Sequence, residues 1–86
     1  VGKEHSPETV RLVTRLRSVR ERKRLTQDQV AAAAGMSRPT LTLIEAGRRS
    51  RGVTLDEAAG LCRVLGVDLC DMLGEAPVVV QVDTVP

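Results

Sequence analysis

The sequence predicts an all-α domain of five short helices, followed by a short extended C-terminal tail. Three observations carry this reading. Helix-start chemistry recurs at Ser6-Pro7-Glu8, Thr26 to Gln29, Ser37 to Pro39 and Thr54 to Glu57, each time ahead of apolar residues at helical spacing. Glycines 35, 47, 66 and 74 stand just past these stretches, where a left-handed backbone can close a helix. No strand signal occurs before residue 75.

The first helix is predicted over about 7–23. Ser6 caps free amides, Pro7 suits the first helical position and Glu8 complements the dipole. Val10 or Leu12, then Leu16 and Val19, form its apolar stripe. The second helix, 27–34, opens on a capping box made by Thr26 and Gln29 and runs into four alanines that let another helix approach closely. Gly35 stops it. Ser37 caps the third helix, Pro39 sits in its first turn, and Leu41 and Ile44 face inward before Gly47 ends it. The fourth runs from the Thr54–Glu57 capping box to Gly66, with Leu55, Ala58, Leu61 or Cys62, and Leu65 as its stripe. Asp68 opens a short fifth helix through Leu73. The tail, Pro77-Val-Val-Val-Gln-Val, is β-branched and bounded by proline. Such a strand pairs with a second chain, lies across the helical core, or frays.

Composition narrows the function. The chain has 86 residues and no Phe, Tyr or Trp, so its one core is aliphatic, and platforms that stack single-stranded bases are excluded. The net charge of +2 hides a strong asymmetry. Residues 1–51 carry 12 basic against 5 acidic side chains, while residues 52–86 carry Arg63 against 6 acidic ones. The basic half suggests a polyanionic partner; a solvated charged face is the competing reading. Val78–Val80, the longest β-branched apolar run, is far too short for the roughly 20 residues of a membrane span. With no secretory h-region either, the expected location is cytoplasmic. Cys62 and Cys70, with His5 the only histidine, do not make a zinc-ligand set, so no metal or cofactor is expected and both thiols are read as reduced and buried.

The second helix, a tight glycine turn and the third helix follow the order of a helix-turn-helix, whose second member enters the major groove of double-stranded DNA. The stretch LTQDQVAAAAGMSRPTLTLIEAGRRS, followed by LCRVLGVDLCDML, resembles the Cro/cI-type, or xenobiotic-response-element-like, helix-turn-helix family over about residues 10–74. The resemblance implies a five-helix lambda-repressor-like DNA-binding domain. It implies a structural ion pair between Arg20 and Glu45, and a phosphate clamp at Gln27. Arg38, Pro39, Thr42 and Leu43 match the family's base-facing positions, with Arg38 able to give two parallel donors to guanine. Ser37, Thr40 and the loop residues Arg48, Arg49 and Arg51 match positions that meet the sugar-phosphate backbone. Two departures are visible. Arg24 stands where the family often has glycine, so either it takes a left-handed backbone or the first helix runs on. The loop before the fourth helix has Arg51-Gly52-Val53 in place of a frequent proline.

A single recognition helix reads only a few base pairs, so the expected function is that of a transcriptional regulator binding a palindromic operator as a homodimer. The acidic, apolar C-terminal half is the expected dimer contact, through Leu69, Met72, Leu73, Val78, Val80 and Val82. The alternative is an antitoxin-like module of the same fold whose tail docks on a protein partner by strand addition. No nucleophile–base or acid–base constellation is present in the sequence, so an enzyme is not expected.

Overall fold

A computed structural model describes residues 5–74. The helices are α1 (Pro7–Arg22), α2 (Gln27–Ala34), α3 (Arg38–Glu45), α4 (Leu55–Leu65) and α5 (Leu69–Leu73). Each starts on a side-chain cap: Ser6, Thr26, Ser37, Thr54 and Asp68 all accept a hydrogen bond from a main-chain N–H of the first turn. Thr26 with Gln29 and Thr54 with Glu57 form complete reciprocal capping boxes. The tail assignment, residues 75–86 with Val78, Val80 and Val82, lies outside the described residues.

The first four helices close in one way. In each, the residue just past the end donates to the carbonyl three back, and the next residue reaches five back. The pairs are Arg24 to Glu21 and Leu25 to Arg20, Gly35 to Ala32 and Met36 to Ala31, Gly47 to Ile44 and Arg48 to Leu43, and Gly66 to Arg63 and Val67 to Cys62. This closure needs a left-handed residue. Glycine supplies it three times, and at the end of α1 Arg24 does so with φ 58. Of the two alternatives left by the sequence, α1 therefore stops at Arg22. A side chain in that conformation costs about 1–2 kcal/mol, partly offset by the greater freedom a glycine would lose on folding. Arg24→Gly should raise the melting temperature by about 2–4 °C, and thermal unfolding followed by circular dichroism checks this.

α1 packs on α5, α4 and α3, and α2 packs on α3 and α4. The core joins Leu12, Leu16, Val19, Val30, Ala31, Leu41, Ala58, Leu61, Cys62, Leu65 and Met72. α2 lies close to α4, with the small Ala31 facing inward; a Cβ added at Gly60 would meet the Ala34 carbonyl oxygen at 3.7 Å, an ordinary contact, so the approach does not depend on glycine there. On α1 the inward residue is Leu12, with Val10 exposed, and on α4 both Leu61 and Cys62 are buried.

Three expectations need correction. Leu55 is 73% exposed, because the first residue of α4 overhangs the core edge instead of joining the stripe. Cys70 is exposed, so only Cys62 is a buried thiol. Met72, expected at a dimer contact, is 0% exposed within this one chain, since α5 turns it into the core against α1. Leu69 and Leu73 stay half-buried.

Two arginines of the basic half also serve the fold. Arg11 Nε donates to the Leu73 carbonyl at 3.1 Å and an Arg15 Nη1 to the Asp71 carbonyl at 2.6 Å, so α1 holds the C-terminal end of α5. Positive groups suit the negative end of a helix.

Candidate nucleic-acid interface

The exposed face of α3 follows from its buried one. Leu41 and Ile44 are fully packed, which turns Arg38, Pro39, Thr42 and Leu43 outward. Leu43 is 45% exposed and is one of three large apolar side chains in the open among the described residues. Arg38 Nε lies 3.8 Å from Asp28 Oδ1 at the start of α2, a surface pairing that water screens.

Behind this face stands the expected ion pair. Arg20 Nε donates to Glu45 Oε2 at 2.7 Å and Nη2 to Oε1 at 2.9 Å, a two-pronged contact, while Nη1 donates to the Leu25 carbonyl at 2.8 Å. The two side chains are only 12% and 7% exposed. The hydrogen bonds to Glu45 outweigh the opposing effect of burial and raise the Arg20 pKa above its ordinary value. The pair ties the end of α1 to the last residue of α3, and so sets α3 on the body of the domain.

Gln27, half-buried at the start of α2, belongs to the same assembly. Its Nε2 donates to Glu45 Oε1 at 3.0 Å, and its Oε1 accepts from the Thr42 hydroxyl at 2.9 Å. One amide proton is thereby used internally, and the second is not used in these two bonds. Sequence reasoning did not find this link. The usable signal was acceptor capacity, since an ionised carboxylate offers about four acceptor sites and one arginine fork leaves some of them open.

Ser37 and Thr40 also divide their roles. The Ser37 hydroxyl accepts from the Thr40 N–H and donates to Thr40 Oγ1 at 2.9 Å. Its proton is committed to the cap, so the Ser37 main-chain N–H at the helix start and the Thr40 hydroxyl proton are the groups that can meet an anion.

The loop arginines separate as well. Arg48 and Arg51 are exposed. Arg49 departs from the expected backbone contact: it is turned inward, where its Nη1 pairs with Glu57 Oε1 and reaches the Gly52 carbonyl. The same Glu57 oxygen accepts the Thr54 N–H, so Arg49 fastens the loop to the cap of α4. That guanidinium, more than the Thr54 hydrogen bonds, holds the Glu57 carboxyl below its ordinary value, against the opposing effect of burial. A carboxylate with a depressed folded pKa stabilises above its unfolded value, near 4.5, and loses that contribution as pH falls through the folded value. Glu57→Gln should therefore cost about 1 kcal/mol near neutrality. The gap to the parent should close on acidification below about pH 4.5, as melts at stepped pH would show.

Two helices joined by a tight glycine turn, the second with an exposed mixed polar and apolar face, define a helix-turn-helix domain. The chain belongs to the helix-turn-helix domain family, whose model matches residues 11–73, and within it to the Cro/cI-like, xenobiotic-response-element type. This is a DNA-binding family whose members are typically not enzymes. A search of curated proteins gave no match. Among the described residues no helix is long and apolar enough to cross a membrane, and no group of three His, Cys, Asp or Glu side chains is placed to hold a metal ion.

Proposed function

We propose that the protein is a sequence-specific transcriptional regulator that binds a palindromic double-stranded DNA operator as a homodimer. The observation that carries this is the outward face of α3, held in fixed orientation by the part-buried Arg20–Glu45 pair. Arg38 offers a guanine its two parallel donors, Thr42 a hydroxyl and methyl, and Pro39 and Leu43 apolar contact with thymine methyls. Gln27, Thr40, the Ser37 N–H, Arg48 and Arg51 ring this face and suit phosphates. Arg49 acts by holding the loop in which Arg48 and Arg51 lie. Leu69 and Leu73, with the C-terminal tail, supply the dimer contact.

Selection from randomised duplexes, followed by affinity measurement at several salt concentrations, tests the reading. A twofold-symmetric site is expected, with half-sites about 34 Å apart. If Arg48 and Arg51 of both protomers neutralise phosphates, log K should fall against log salt with a slope of about −4. Arg38→Ala should cost about 1–3 kcal/mol at the preferred site and flatten preference at one base pair per half-site. Equal weakening on every sequence would count against Arg38 as a base reader.

A further inference from the structure

The hydrogen bonds from Arg20 through Glu45 and Gln27 to Thr42 can run in only one sense. Arginine carries donors alone, and an ionised carboxylate carries acceptors alone. Gln27 must therefore turn its NH2 group to Glu45, as the 3.0 Å contact from Nε2 has it. Its carbonyl oxygen is then left at the other end, 2.9 Å from Thr42 Oγ1. A carbonyl accepts and never donates, so the Thr42 hydroxyl must give up its one proton here. The reversed amide would set a carbonyl against the part-buried carboxylate and a donor against a hydroxyl, losing one hydrogen bond outright. A threonine on a helix often turns its proton back to the carbonyl four residues earlier; in this chain Gln27 takes it instead.

We propose that this one-way relay makes Thr42 a pure hydrogen-bond acceptor toward DNA. In the major groove it then reads an exocyclic amine, N6 of adenine or N4 of cytosine. At the same strand position guanine shows O6 and N7 and thymine shows O4, which are acceptors and find no proton. In the major groove every base pair has one amine-bearing base, adenine or cytosine, and one amine-lacking partner, so the relay selects which strand holds the amine-bearing base at that step. It does not select A·T over G·C. A hydroxyl without Gln27 would rotate to donate or accept as the base required, and would not discriminate. Gln27 is thus a positioning residue for specificity, beside its reach to a phosphate. The inference rests on Thr42 facing a base, and the test keeps the two claims apart.

Operator preferences are measured by selection from randomised duplexes with the full chain, as parent, Thr42→Val, Gln27→Ala and Arg38→Ala. The parent should enrich adenine or cytosine over guanine or thymine by about 3- to 10-fold at one position per half-site, the worth of one hydrogen bond. Thr42→Val and Gln27→Ala should each erase that preference while leaving the Arg38 base pair selective. Retention of the preference in Gln27→Ala, with its loss in Thr42→Val, would overturn the relay and leave Thr42 a base reader. Selection of guanine or thymine at that position would also overturn it. If Thr42→Val alters no position while Arg38→Ala flattens its own, Thr42 does not face a base, and the inference falls with that placement alone. A second arm does not depend on how Gln27→Ala folds. Replacing the selected base by the analogue that lacks the exocyclic amine should weaken parent binding 3- to 10-fold and Thr42→Val binding not at all; equal losses in both would refute the contact.

Discussion

Replacing Arg20 by alanine is expected to lower the stability of the DNA-free protein by about 3 kcal/mol, the lower end of the cost of removing one partner from a buried ion pair, because this pair is part-buried. Three hydrogen bonds leave with the guanidinium: two to Glu45 and one to the Leu25 carbonyl. Glu45 then keeps only the Gln27 amide, in a site where its side chain is 7% exposed. Typical stabilities scale at about 0.05–0.15 kcal/mol per residue, so in a domain this small the loss is a large share of the whole. At roughly 4–8 °C per kcal/mol, the melting temperature should fall by at least about 12 °C. Arg20→Lys should fall between the two, since an ammonium keeps the charge without the planar fork. Arg20→Met combined with Glu45→Leu should recover much of the loss, because an apolar pair of similar volume carries no desolvation cost. Thermal unfolding without DNA decides the matter. An Arg20→Ala variant that melts with the parent and loses only DNA affinity would move Arg20 from the scaffold to the interface.

What could be read from the chain in advance depended on how far apart the partners lie. Helix boundaries were legible to within a residue because caps and closures are settled within five positions: Thr26 needs only Gln29, and Gly35 only Ala31 and Ala32. Arg20 and Glu45 are 25 residues apart, and only the family resemblance connected them. Contacts that the resemblance did not imply gave no such signal. The Gln27–Thr42 link, the Arg49–Glu57 pair and the two arginines bound to the end of α5 depend on where separate elements come to rest. This also limits what local charge says. Twelve basic residues in the first half suggested a broad cationic face, but Arg11, Arg15, Arg20 and Arg49 are spent within the fold. The cations left for phosphates are fewer, and the expected salt slope is correspondingly modest.

Met72 shows the same limit in the apolar residues, and its substitution carries the other large expected effect. An apolar side chain on a short acidic helix looks the same in sequence whether its own chain or a second copy covers it. Here its own chain does so completely. α5 has only five residues, too few to persist as an isolated helix. It is kept in place by Met72 in the core and by Arg11 and Arg15 on its terminal carbonyls. Met72→Ala should cost about 2–5 kcal/mol, since the cavity lies under an element with no other fully buried residue. The loss should persist in protein dilute enough to be monomeric, where a residue acting only across a dimer interface would have no effect. Amide exchange should show α5 opening before α1 and α4. Leu69→Ala removes a side chain that is only half-buried, so it should cost less in the monomer and, if this face joins two copies, more in their association. The dilute melt and the association constant together separate the side chain that holds α5 from those that it presents.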